Sequence, residues 1–117
     1  MDSREFISAI KQVVRDGAIR ATIRTLENPP GRRPSQELLD RAEWYRSLEP
    51  RHRTRISEVI ADAVDSAVFS FLCVIDGVRV VENGPVKGDF ELRYVKGGST
   101  LLNAPDDEML HDLYIER

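Results

Sequence analysis

The sequence has no long apolar run and almost no cysteine. No stretch of 18 apolar residues occurs in its 117 residues, which predicts a protein without a transmembrane helix. The charged N-terminus, MDSREF, lacks the apolar core of a secretory signal. The single cysteine, Cys73, can form no disulfide within the chain. These absences together predict a cytoplasmic protein without membrane association.

The sequence also lacks the common motifs of catalysis and cofactor binding. It contains no GxGxxG, GxxxxGK[ST], HExxH, CxxC or GxSxG pattern. Such motifs supply phosphate-binding loops, zinc ligands or an exposed nucleophile, so their absence counts against the common nucleotide-binding and hydrolase classes. We therefore expect no cofactor, no resident metal and no catalytic residue, and the balance favours a protein that is not an enzyme.

Charge is distributed unevenly along a chain whose length suits one domain. Residues 1–55 carry twelve Arg and Lys against eight Asp and Glu, whereas residues 56–117 carry five against twelve. Such asymmetry is typical of a surface that binds nucleic acid or an acidic partner, or of two halves that attract each other. Because the basic residues are interleaved with acids, the second interpretation is favoured.

Three helical segments are predicted before the chain changes character. The first spans residues 3–26, and its apolar residues change face near Gly17. This change predicts either a kink or break there, or a straight helix with different neighbours along its length. The second begins after Ser35, a good N-cap. The third spans Pro50–Ile75, because proline suits a first helical turn and Gly77 can adopt the left-handed conformation that ends a helix.

The C-terminal part of the third segment is apolar on all sides. One serine interrupts the run AVFSFLCVI, residues 67–75. A helix that is apolar all round must be covered all round, so this end lies in a core or in a subunit interface. We expect Phe71 to be almost fully buried. We also predict a homodimer, with this helix end or the neighbouring hairpin edge at its interface. The candidate interface residues are Phe69, Leu72 and Cys73.

Beyond the third helix the apolar residues alternate, which is typical of strands. We predict strands at VRVVE (78–82), at DFELRYV (89–95) and at TLLN (100–103). The last segment, DDEMLHDLYIER, is predicted to be a short helix capped by Asn103 or Asp106.

This order of elements predicts an α+β fold, since helices and strands are segregated along the chain. Three N-terminal helices would pack with a small antiparallel β-meander or hairpin and a short C-terminal helix. We predict a single domain over residues 1–117, helical over 1–76, with the meander over 77–103 and the C-terminal helix over 104–117.

One acidic cluster is the best candidate for metal binding or acid–base chemistry. It comprises Asp107, Glu108, His111 and Asp112. Asp107 and His111 are four residues apart, so on a helix their side chains could converge, and histidine serves both as metal ligand and as general base. The favoured alternative is an acid-rich helix start, suited to the helix dipole, with His111 paired to Asp107.

An arginine cluster is the candidate site for an anion. It comprises Arg32, Arg33, Arg51 and Arg53. Guanidinium groups match phosphate and carboxylate geometry, but the sequence carries no helix-turn-helix or RNA-binding signature, so specific nucleic-acid binding is not expected. A network of salt bridges is the favoured interpretation.

Two further polar features have structural interpretations. A row of acids on the third helix is interpreted as a solvated face: Glu58, Asp62 and Asp65. Arg79 follows the apolar helix end and, if semi-buried, needs a carboxylate partner. The candidates for that partner are Asp76, Glu82 and Asp112.

Three stretches together carry a resemblance to known proteins: FSFLCVIDGVRV, the glycine-flanked FELRYV and the terminal LHDLY. The combination resembles small stand-alone bacterial proteins of a family without assigned function, over residues 40–115. The resemblance implies a bacterial cytosolic origin and supplies no catalytic residues.

The functional prediction is a non-enzymatic module that binds another protein, as an adaptor, an inhibitor or an immunity-type protein. Small size, a charged surface and the missing catalytic motifs favour it. A small-ligand or metal-dependent enzyme using Asp107, Glu108 and His111 is the alternative. A nucleic-acid or anion binder using the arginine cluster is the third possibility.

Overall fold

The computed structural model describes residues 1–116 and confirms the α+β class. Its elements are α1 (Ser3–Ala9), a π-helical segment (Ile10–Asp16), α2 (Gly17–Glu27), α3 (Gln36–Ser47), α4 (Pro50–Ile75), β1 (Arg93–Val95), β2 (Ser99–Leu101) and α5 (Leu110–Ile115). No helix within residues 1–116 combines the length and the apolarity that crossing a bilayer would need.

The first helical segment does not break at Gly17. A capping box of Asp2 and Glu5 starts α1, and the helix then continues through the π-helical segment directly into α2, of which Gly17 is the first residue. Because π turns close hydrogen bonds from i to i+5, they hold more residues than α turns. This wider-turned segment lies where the sequence shows its change of face.

The predicted start of α3 and the predicted bounds of α4 are confirmed. Ser35 accepts a hydrogen bond from the backbone N–H of Leu38 at 3.3 Å, as an N-cap does. α4 begins at Pro50 and ends at Ile75. Gly77 follows with a φ of 78°, the left-handed conformation that glycine adopts without steric cost.

The strand predicted at residues 78–82 is wrong, so of the two predicted forms, meander or hairpin, the structure has the hairpin. The sheet is a two-stranded antiparallel hairpin, with Tyr94 opposite Thr100 and Gly97 in the turn at a φ of 64°. Every residue from 78 to 91 is exposed. Alternation of apolar residues supports a strand only where another strand pairs with it, and residues 78–82 have none.

The C-terminal helix is shorter than predicted and is capped differently. α5 begins at Leu110, and its N-cap residue, Met109, provides no side-chain cap. Asn103 does not cap this helix. Its amide oxygen instead accepts a hydrogen bond from the backbone N–H of Leu92 at 2.9 Å. Its amide nitrogen donates to the carbonyls of Ile75 at 2.9 Å and Phe90 at 2.8 Å. The predicted extension of this helix to Arg117 lies outside the described residues.

The chain folds into two compact units, and each has buried residues of its own. The helical unit comprises residues 13–65, where α2 packs on α3 and the buried residues are Leu26, Ala42 and Tyr45. In this unit Arg15 donates two hydrogen bonds to Asp65, from Nε at 2.7 Å and from Nη2 at 3.1 Å. These bonds raise the pKa of Arg15, so its guanidinium stays charged.

The terminal unit comprises residues 1–12 together with the chain from Ser66 onward. Its core contains Ile7, Leu72, Leu110, Leu113 and Tyr114, where α1 packs on α5. Partly buried side chains surround that core: Phe6, Val68, Phe69, Ile75 and Leu92.

The prediction that Phe71 is buried is wrong, since 63% of its surface is exposed. Leu72 and Cys73, its neighbours in the sequence, are buried instead. The core elements of the terminal unit cover one side of α4 there, and Phe71 extends from another side.

Candidate functional site

The strongest polar feature of the terminal unit joins the end of α4 to the start of α5. The carboxylate of Asp76 accepts from the backbone N–H of Leu110 at 3.2 Å and from that of His111 at 2.8 Å. The same carboxylate contacts His111 Nδ1 at 2.6 Å, and its side chain is 2% exposed. Asp76 therefore caps α5 from a position 34 residues earlier in the chain.

The imidazole of His111 is held on several sides. Because a carboxylate only accepts hydrogen bonds, Nδ1 carries the proton and donates to Asp76. Nε2 lies 3.4 Å from a carboxylate oxygen of Asp112. The ring of Phe69 meets the imidazole edge-on at 5.6 Å between centroids, and the His111 side chain is 13% exposed.

The structure does not bring the predicted acidic cluster together. Glu108 is paired with Arg4 at 2.6 Å, and Asp107 is exposed. His111 and Asp112 remain neighbours, but the partner of His111 Nδ1 is Asp76 rather than Asp107. Among residues 1–116, no group of three or more His, Cys, Asp and Glu side chains is arranged to hold a metal ion.

An oriented histidine with a buried carboxylate is the arrangement that positions a general base. In this structure the pair anchors the start of α5, and Cys73, the one thiol of the chain, is not an activated nucleophile. Burial raises the pKa of Cys73, and the negative charge of Asp76 raises it further, so the thiol stays protonated at neutral pH. The contacts of Asp76 with α5 pin a short helix that has no side-chain cap of its own.

Lys11 holds the other end of α5. Its ammonium donates to the carbonyl oxygens of Glu116 at 3.0 Å and Leu113 at 3.5 Å, and lies 5.9 Å from the centroid of the Tyr114 ring. A cation at carbonyls of a helix C-terminus is favoured by the helix dipole. The six residues of α5 are thus held at their N-terminus by Asp76 and at their C-terminus by Lys11.

The predicted arginine cluster is partly committed to other contacts. Arg51 is paired with Glu49 at 2.8 Å, and Arg53 is half-buried with an Nε atom that is enclosed without a hydrogen-bond partner. Arg32 and Arg33 are exposed. Of the four arginines predicted to bind an anion, Arg32 and Arg33 are therefore the two that are exposed without such a commitment to Glu49 or to the interior.

The candidate interface residues lie on the inner side of α4. Leu72 and Cys73 are buried within the terminal unit, and Phe69 packs against its core beside His111. The chain itself therefore covers the apolar surface of Leu72 and Cys73 and part of that of Phe69, which leaves little of the predicted interface for a partner.

The terminal unit has a second surface that was not predicted from the sequence. A cleft of about 130 Å³, here called the valine cleft, lies between the end of α4 and the exposed residues 79–90. Its apolar lining consists of Val74, Val80, Val81 and Phe90. The signal was present in the motif VRVV, residues 78–81, but its alternation predicted a strand instead of an unpaired apolar segment.

No protein-family model matches this sequence, and neither a curated protein nor a solved structure was found to match it. The resemblance noted for residues 40–115 gains no support from these comparisons.

Proposed function

We propose that this protein is a non-enzymatic, cytosolic interaction module, and that it binds a polypeptide partner at the valine cleft. The observation that supports this proposal is the apolar surface of residues 78–90. These residues are exposed throughout, yet they include four valines and a phenylalanine: Val78, Val80, Val81, Val86 and Phe90. Of these, Val80, Val81 and Phe90 line the cleft.

The extent of this apolar surface argues for a partner. Val80 and Val81 are 66% and 60% exposed, although both line a cleft that could bury them. Single exposed apolar side chains are common on protein surfaces, but contiguous apolar patches rimmed by polar residues mark binding sites. The rim here contains Arg79, Glu82 and Lys87, so the surface has the apolar centre and polar edge of a protein interface.

The two alternative functions have less support. The enzyme hypothesis required Asp107, Glu108 and His111 to converge, and their side chains instead contact different partners or solvent. The anion hypothesis required four arginines to converge, and Arg51 is neutralised by Glu49.

Competitive photocrosslinking in a clarified extract of the source cells tests the proposal. The probe is the full chain with Val81 replaced by a photoreactive phenylalanine analogue. We expect a discrete crosslinked product that an excess of unlabelled wild-type protein suppresses. Unlabelled Val80→Asp should compete at least tenfold less well, because a carboxylate enters the apolar cleft.

Val86→Asp is the matched control. Val86 is 87% exposed and lies in the same segment, so this variant should compete as well as wild type. The proposal is overturned if no discrete product forms, or if Val80→Asp competes as strongly as wild type and Val86→Asp.

A further inference from the structure

We infer that the partner at the valine cleft is a second copy of this chain, and that Phe71 of each copy inserts into the cleft of the other. This inference rests on the proposed function and identifies its partner. It concerns a different surface from the one predicted for the homodimer, since Leu72 and Cys73 lie in the core of the terminal unit.

Phe71 and the valine cleft match in size. A phenylalanine side chain presents about 200 Å², and the 63% exposure of Phe71 leaves well over half of it in water. The cleft encloses about 130 Å³. An apolar cavity of about 150 Å³ accommodates one benzene molecule. The cleft therefore has nearly the volume that one phenyl ring needs.

The position of Phe71 on α4 makes the surface self-complementary. Phe71 and Val74 are three residues apart, so they are neighbours on one side of the helix. Val74 lines the cleft, so the protruding ring and the cleft lie next to each other on one copy. A two-fold axis between them would place each ring in the opposite cleft, forming the same contact twice. The exposed Ala67, one turn before Phe71, leaves room for the approach of a second helix.

The charges around the cleft permit this pairing. Arg79 and Lys87 on its rim are matched by Glu82 and Asp89, so the rim has no net charge. Two copies of one surface repel each other when the surface carries charge of a single sign. A rim with equal numbers of both signs instead allows opposite charges to face each other across the axis.

The area also suits a dimer centre. Phe71 and Phe90, 63% and 50% exposed, together leave roughly 200 Å² of aromatic surface in water. Val78, Val80 and Val81 are each more than half exposed and extend that surface. A standard interface covers about 800 Å² on each partner, with the apolar part at its centre and a polar rim around it.

Sedimentation equilibrium and light scattering on the purified full chain test the inference. We expect a dimer in the micromolar range. Phe71→Ala and Val80→Asp should each raise the dimer dissociation constant at least tenfold. Val86→Asp should leave it unchanged. Phe71 and Val80 are both largely exposed, so the variants should keep the wild-type circular dichroism spectrum.

Mixing the two weakened variants distinguishes insertion from a general apolar contact. Phe71→Ala retains an intact cleft, and Val80→Asp retains an intact Phe71. A mixed dimer therefore regains one of the two contacts, whereas neither variant alone has any. Equimolar mixing should produce a heterodimer that dissociates at a concentration at least threefold lower than either homodimer.

A monomeric wild-type protein at these concentrations overturns the inference, and so does a mixture that associates no better than its components. If the crosslinked product described above then contains a different polypeptide, the proposed interaction function stands and only the identity of the partner is wrong. If no site-specific product forms at all, both fail.

Discussion

Replacing Asp76 by alanine removes a buried acceptor of three hydrogen bonds. The Asp76 side chain is 2% exposed, and it accepts from two backbone N–H groups of α5 as well as from His111 Nδ1. The substitution leaves these donors with no partner in the space that the carboxylate occupied. Because α5 supplies Leu110, Leu113 and Tyr114 to the core, loosening its start exposes apolar surface as well.

The expected loss of stability can be estimated from the separate contacts. Removing a helix N-cap costs about 0.5–2 kcal/mol. Leaving a buried donor such as His111 Nδ1 unsatisfied costs about 1–3 kcal/mol. The contacts belong to one network, so their costs are not independent, and we expect a total of about 3 kcal/mol for Asp76→Ala. An exposed ion pair would contribute only about 0–1 kcal/mol.

Urea unfolding followed by circular dichroism measures this difference, provided that the m-values agree. Asp76→Asn keeps an amide oxygen for the helix N-terminus but presents an NH₂ group in place of one acceptor oxygen. It should lose about 1–2 kcal/mol, less than the alanine variant. The matched control is Asp107→Ala, at an exposed position next to α5, which should change stability by less than about 0.5 kcal/mol.

A loss below about 1 kcal/mol for Asp76→Ala would refute the reasoning, because it would mean that the start of α5 is held by other contacts. An equal loss for Asp107→Ala would refute it differently, by showing that the negative charge near the helix start matters rather than the hydrogen bonds of Asp76.

Two further predictions concern the terminal unit. Asn103→Ala removes the amide that joins Leu92 to the carbonyls of Ile75 and Phe90. This variant should lower the free energy of unfolding by about 2–3 kcal/mol in the same urea assay. Asn103→Asp keeps only the hydrogen-bond acceptor, so its loss of stability should be at least half as large. Burial and a raised pKa should make Cys73 react with a thiol reagent at pH 8 at least a hundredfold more slowly in the native protein than in urea, and native reaction as fast as unfolded reaction would contradict its place in the core.

The raised pKa of Cys73 also fixes the sign of a pH effect. The pKa of this thiol in the folded protein lies above the ordinary value of 9.0, so the thiol favours the folded state below that pH. This contribution is lost as the pH rises through the folded pKa, because the buried site then has to accommodate a thiolate. Stability should therefore fall more steeply above pH 9 in wild type than in Cys73→Ala.

The start of α3 and both ends of α4 were determined by the sequence itself, because the capping chemistry there is local. Ser35 caps α3 with its own side chain, Pro50 begins α4 where no N–H is needed, and Gly77 supplies the positive φ that follows α4. The α+β class followed equally well, since the change from helical to alternating periodicity can be seen without any tertiary contact.

Which side of a helix is covered was decided by tertiary structure. The sequence shows that residues 67–75 are apolar all round, and this pattern is the same for Leu72, which is buried, and for Phe71, which is exposed. Only the positions of α1 and α5 in the terminal unit select the buried side. The prediction of a strand at residues 78–82 was wrong for a related reason. A strand requires a partner strand, and the residues of one strand do not determine whether a partner lies beside it.

The polar partners were decided in the same way. Sequence spacing paired His111 with Asp107, four residues away, because helical neighbours can be read from a sequence. The fold instead pairs His111 with Asp76, 35 residues away, since the end of α4 lies against the start of α5. Local hydrogen bonds follow from the order of residues, whereas contacts between distant segments depend on how the whole chain packs.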